Sequence, residues 1–327
     1  MQHRKQTNKL IIFLLLILVL AVTLACGSSA PTAAPGGAGE AGETESPPAE
    51  TYLGDTIEAD GYALSAVSVA DPAKPGMFYQ AEAGKKLVAV EIIVSNISGD
   101  SLSVNPLNAV LLDTEGFTYQ VELAGVDDQL ATTNINPGEK VRGWVAFKIP
   151  EAAVPAKIKY TVGFFGGTEM VASLAQPPEG HTASGPSGQT ETATELSYLG
   201  DAVEYFGYTM TPLTVADPAQ PGMLYQAEAG KKLVAVEIIL SNLSGDPLSV
   251  NPLSAVLVDA EGFTYQAELA GVDDQIDTLV ILPGERIRGW VAYKVPEAAV
   301  PAAIKYAPDL WGEAFKAGLG QPPEGHT

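Results

Sequence analysis

The chain has 327 residues, with 18 Lys and Arg against 39 Asp and Glu, a formal net charge of −21 and one cysteine. That charge repels nucleic acid and anionic lipid surfaces, so no nucleic-acid partner is expected. With one cysteine there is no internal disulfide, and each domain must fold on its apolar core alone.

The opening "MQHRKQTNKL" carries Arg4, Lys5 and Lys9 and no acid, and an apolar run follows from Leu10 to Ala25. A basic start, a short apolar stretch and a small residue before a break read as an export signal over 1–25. The run ends in "VTLACGSS", which resembles the lipobox of bacterial lipoproteins. The resemblance implies cleavage before Cys26 and its lipidation, although Thr23 stands where Leu is usual. An uncleaved anchor is the alternative, because a spanning helix needs about 17–25 residues. Either way the chain is expected on the extracytoplasmic face of a bacterial membrane, in the cell envelope. Residues 26–51, rich in Pro, Gly, Ala and Glu, then read as a flexible stalk.

From "YLGD" onward the sequence repeats itself at a fixed offset, with Gly84 matching Gly230 and 39 of 46 positions identical over 84–129 and 230–275. Each copy is long enough for one domain. The expected division is a first β-sandwich over 52–175, a flexible linker over 176–197, a second sandwich over 198–320 and a tail over 321–327. "KKLVAVEIIVSN" is β-branched with apolar residues on both faces, as a central strand would be. "TEG" between "AVLLD" and "FTYQVE" marks a hairpin, and "NPGE" marks another turn. "KVRGWVAFKIP" alternates in and out, and no segment after the signal holds a helical period. The fold class is therefore all-β, two tandem antiparallel sandwiches joined by a flexible linker.

"GKKLVAVEIIVSN", "LLDTEGFTYQ" and "NPGEKVRGWVAFKIP" resemble the DUF4352 family of bacterial lipoprotein domains, in both copies. The resemblance implies an immunoglobulin-like, telokin-like sandwich similar to a secreted mycobacterial immunoprotective antigen. It implies no known activity, because one sandwich fold hosts many functions.

Chemistry-bearing residues are few. "GVDDQ" occurs at 125–129 and 271–275, which makes Asp127, Asp128, Asp273 and Asp274 the calcium candidates. A calcium site needs six to eight converging oxygens, and no ion-binding loop pattern surrounds these pairs; a solvated turn is the plainer reading. His181 and His326 lie in the "PPEGHT" tails, so neither sandwich is expected to house a Ser-His-Asp triad or a histidine-bearing zinc site. "NIS" at 96–98 and "NLS" at 242–244 match an N-glycosylation pattern but read more simply as turns. No cofactor is expected.

The copies differ where "TTNIN" at 132–136 becomes "TLVIL" at 278–282, and "EADG" at 58–61 becomes "EYFG" at 204–207. With Ile281 inward, Val280 and Leu282 point outward, joined by Tyr205 and Phe206. These four are the expected partner surface of the second domain, unless they pack on the first domain or the strand shifts register. The sum is a non-enzymatic binding or scaffolding lipoprotein with a protein or envelope-component partner. The alternative is a small-ligand or calcium-dependent binding lipoprotein that uses loops at the sandwich ends.

Overall fold

A computed structural model of the chain describes residues 51–162, 167–186, 197–223, 225, 228–269, 271–308 and 314–326. The expected signal, Cys26 and most of the stalk lie outside these residues. The first copy contains β1 (Thr56–Ala59), β2 (Tyr62–Ala70), β3 (Lys85–Asn96), β4 (Leu102–Val104), β5 (Ala109–Asp113), β6 (Thr118–Gln120), β7 (Thr133–Ile135), β8 (Lys140–Pro150), β9 (Pro155–Val162) and β10 (Thr168–Ser173). The second contains β11 (Val203–Tyr205), β12 (Tyr208–Ala216), β13 (Lys231–Asn242), β14 (Leu248–Val250), β15 (Ala255–Asp259), β16 (Thr264–Glu268), β17 (Leu279–Ile281), β18 (Arg286–Pro296), β19 (Pro301–Tyr306) and β20 (Phe315–Gly318).

Each copy folds as an antiparallel sandwich. In the first, a sheet in the order β1-β2-β3-β8 faces a sheet in the order β10-β9-β5-β6, with β4 and β7 paired separately. The second copy keeps this order, but a longer β16 pairs with β18 and joins both halves into one sheet. The core follows from strand alternation. Val88, Val90, Ile92 and Val94 of β3 are fully buried between the sheets with Phe147 and Ile149 of β8 and Tyr160 of β9.

The opposite face of β3 is apolar for a second reason. Leu87 and Ala89 pack with Ala146 under a lid containing Tyr79, Val126 and Trp144. Val126 belongs to "GVDDQ", so that loop closes the outer side of the sheet. Its residues suit this work. A Cβ on Gly125 would lie 2.9 Å from the Cβ of Ala146. Gln129 donates to Glu122 O at 3.1 Å and accepts from Ala124 N at 2.9 Å. Asp128 takes a left-handed backbone, φ 52°, which Asp tolerates better than most residues. The second copy repeats the arrangement with Val272, Asp274 and Gln275.

One sequence expectation needs correction and another can be sharpened. The segment after β10 does not leave the fold as linker at 176. His181 Nε2 reaches Asp55 Oδ1 at 2.8 Å and its ring meets Tyr52 edge-on, while Ser184 N donates to the same carboxylate at 3.1 Å. In the second copy His326 pairs with Asp201 at 2.8 Å and meets Tyr198. Each "QPPEGHT" therefore clasps the "YLGD" that begins its own copy. The acceptor asparagines are also not surface residues: Asn96 is 1% exposed and Asn242 0%. Burial closes both to modification in the folded protein, and the turn reading holds.

Candidate functional site

One end of the first sandwich meets an edge of the second. Lys140 N donates to Gly262 O at 2.9 Å, and Thr264 Oγ1 donates back to Lys140 O at 3.3 Å. The approach is close: a Cβ on Gly262 would stand 2.8 Å from Gly138 O. Lys140 Nζ sits 4.1 Å from the ring centroid of Phe263, a cation–π distance.

A buried ion pair lies beside this contact. Lys305 Nζ is 2.5 Å from Glu139 Oε2 and 3.1 Å from Asn134 O, and both charged side chains are 2% exposed. Lys316 Nζ faces Glu139 Oε1 at 3.2 Å without hydrogen-bond geometry. Burial pushes the Lys305 ammonium below its ordinary range, and Glu139 opposes that shift.

Asp128 of the first copy completes the junction. Its carboxylate lies 3.1 Å from Lys294 Nζ and 3.7 Å from Lys231 Nζ, both in the second copy. Partial burial would raise this carboxyl, but Lys294 and Lys231 outweigh burial and hold it below the usual range. The calcium expectation therefore meets two ammonium groups at Asp128, while Asp127, Asp273 and Asp274 are exposed. Among the described residues no group of three or more His, Cys, Asp or Glu could hold a metal ion. A groove of ≈ 610 Å³ remains at the junction, lined by Arg142, Trp144, Phe263, Tyr265, Asp128 and Lys294. Arg142 is engaged by Glu91 at 2.7 Å rather than by Trp144.

The four residues expected as a partner surface divide. Val280 and Leu282 are 57% and 51% exposed, flanking Ile281 at 4%, as alternation predicts. Phe206 is 82% exposed. Tyr205 is different: it is half-buried, packs against the core and stacks on Phe315 with centroids 5.7 Å apart. There is no register shift, since Tyr205 pairs with Tyr208 as Ala59 pairs with Tyr62. Sequence reasoning missed Leu243, which is 62% exposed. Its signal was weak, since Ile97 in the first copy is also apolar. Hydrogen bonds from Leu243 N to Gly207 O, Gly284 N to Asn242 O and Asn242 Nδ2 to Ile281 O bring these residues to one end. It is the end that the first copy uses to contact the second.

Identical residues thus have different fates. Phe263 is half-buried and Thr264 6% exposed at the junction, whereas their first-copy equivalents, Phe117 at 60% and Thr118, are exposed. Glu139 is buried and its second-copy equivalent Glu285 exposed. The junction is heterologous: it joins unlike patches of two like domains.

No curated protein matches the sequence. Among solved structures, the yjhA protein of Bacillus subtilis is 17% identical and aligns over 38% of this chain and 99% of its own, with a TM-score of 0.31. A candidate lipoprotein of the same organism, ycdA, is 15% identical over 40% of each chain, with a TM-score of 0.33. The secreted Mycobacterium tuberculosis protein MPT63 is 16% identical over 38% of this chain and 95% of its own, with a TM-score of 0.30. The family model described as a domain of unknown function, DUF4352, matches residues 52–170 and again 197–317. The two matches take in both sandwiches and more than half of the chain, which therefore belongs to the DUF4352 family and carries its domain twice.

Proposed function

We propose that the protein is a non-enzymatic binding or scaffolding module at the extracytoplasmic face of a bacterial membrane. Cys26 is the lipid attachment point in this reading. The observation that carries this reading is the free end of the second sandwich, where Phe206, Leu243, Val280 and Leu282 are all more than half exposed. Exposed apolar groups gathered at one place mark contact sites. The partner is a protein or another envelope component, since the acidic chain disfavours nucleic acid.

Each tail histidine faces an aspartate and a tyrosine, and among the described residues no hydrogen bond gives it a Ser, Thr or Cys partner. The groove beside Trp144 supports a second reading, a small ligand held between the sandwiches, because its volume lies in the range of ligand sites.

The test uses residues 27–327, which contain the whole described structure, as bait in envelope extract. Replacing Phe206, Leu243, Val280 and Leu282 with Ser should abolish capture; undiminished capture would overturn the assignment of this surface. In cells, the native chain should incorporate labelled fatty acid and Cys26→Ser should not. Absence of label from the native chain, or undiminished label in the variant, would remove the lipid anchor from the reading.

A further inference from the structure

A heterologous contact between two copies in tandem leaves both of its patches open once more, one at each end of the pair. In this chain the open patches are the end of the second sandwich and the β5–β6 edge of the first. We infer that the partner of the apolar end is a second copy of this chain, docked head to tail through the geometry of the internal junction. This deepens the binding-module reading and rests on it.

The pairing can be followed residue by residue across the repeat. Phe117 is the equivalent of Phe263, and Arg286 stands in place of Lys140, so a guanidinium replaces the ammonium over the ring. Arg is the stronger stacking partner. Lys159 is the equivalent of Lys305 and Glu285 of Glu139; Lys159 is bonded to Glu169 at 2.7 Å, so the central ion pair forms again when Glu285 takes the place of Glu169. Lys148 and Lys85 correspond to Lys294 and Lys231, and Asp274 to Asp128. The remaining bonds use backbone groups of residues 134, 140 and 262 or the hydroxyl of Thr264, whose equivalent is Thr118.

Most substitutions at the open patches run toward apolar residues, the exception being Glu169 where the second copy has Ala314. Asn134 and Asn136 are replaced by Val280 and Leu282, Asp60 by Phe206, and Lys316 corresponds to Val171, which is 37% exposed. An intermolecular contact has no linker to hold its halves together and must supply more apolar burial than the internal one. The second sandwich thus carries apolar side chains around the contact where the first carries polar ones; Asn134 and Asp60 are themselves exposed beside the internal junction, so Val280 and Phe206 would form the rim of the new contact.

The experiment measures the mass of cysteine-free 27–327 by sedimentation up to about 1 mM, the order of effective concentration that a short linker provides. The native chain should assemble into dimers and longer chains as concentration rises. Glu285→Lys blocks one patch and Lys159→Glu the other; neither residue touches the internal junction. Each variant alone should associate at least tenfold more weakly, whereas an equimolar mixture, which offers the native and the reversed pairing at alternate contacts, and the double charge swap should both restore assembly. Val280→Ser and Phe117→Ser, at exposed positions, should act as a second pair of blocks. A native chain that stays monomeric, variants that assemble normally, or a mixture that stays monomeric while the native chain assembles would each overturn the proposal. If the monomeric native chain still captured an envelope component through the apolar end, self-association would fall and the binding-module reading would stand.

Discussion

Lys305 of the second sandwich lies 2.5 Å from Glu139 of the first, and both side chains are 2% exposed. Removing Lys305 leaves the buried Glu139 carboxylate with Lys316, 3.2 Å away, as its remaining cation, which costs more than loss of a surface pair but less than the about 3–5 kcal/mol of a buried charge left wholly unpaired. Lys305→Met should therefore open the junction while each sandwich stays folded. Small-angle scattering should report a larger radius of gyration, and adding Glu139→Met should restore the compact value. An unchanged radius for the single variant would show that the pair does not hold the sandwiches together.

Acid should loosen the same junction through Asp128. Its folded-state pKa is depressed, so its contribution is present above the unfolded value near pH 3.9 and lost as pH falls through the folded value. Lys294 is shifted upward; burial alone would lower it, but Asp128 and Glu228 outweigh burial. Its contribution holds below about pH 10 and fails only in strong alkali. Titration of Asp128 and Lys294 should thus leave the junction unchanged between about pH 5 and 9 and weaken it as pH falls below about 4. Asp128→Asn should cost ~1 kcal/mol or less and flatten the acid response. Added calcium should leave the melting temperature of the native chain unchanged, because lysines occupy that carboxylate.

Glycine in β8 has a steric cause. A Cβ on Gly143 would lie 2.5 Å from the Cα of Leu130, a backbone atom that cannot step aside. At Gly289 the nearest atom, 2.8 Å away, is Cγ1 of Ile276, which can rotate. Gly143→Ala should lower the stability of the first sandwich by about 1–3 kcal/mol. Gly289→Ala should cost the second less. Calorimetric melting that ranks the two variants the other way would refute this account.

Asn96 ties three segments together. It donates to Asp100 O at 2.6 Å and Ile135 O at 2.9 Å and accepts from Ser98 N at 2.8 Å. Asn96→Ala strands these groups and should destabilise the first sandwich by about 1–3 kcal/mol. Asn242→Ala should do the same in the second, where the pattern repeats. Urea melts with unchanged midpoints would count against the role.

The strands were legible because alternation is local: Val88 to Val94 announce a buried face, and Val280 and Leu282 an outward one. The lid over Leu87 was half legible, since the second apolar face of β3 demanded a cover but did not name Val126. The tail clasp was not legible. A segment of Pro, Gly and Glu has the composition of a linker, and the His181–Asp55 bond spans 126 residues. The junction was hidden for a different reason. Phe117 and Phe263 sit in the same local sequence, and only the placement of one sandwich on the other decides which is covered.

The clasp bears on how such a chain can grow. Since His181 returns to Asp55 and His326 to Asp201, each copy starts and finishes at the same spot and borrows nothing from its neighbour to close. Such a unit is a cassette: a gene can gain or lose one whole without breaking the closure of another. The seven-residue tail, which looks like the least important part of the repeat, is what makes each copy separable.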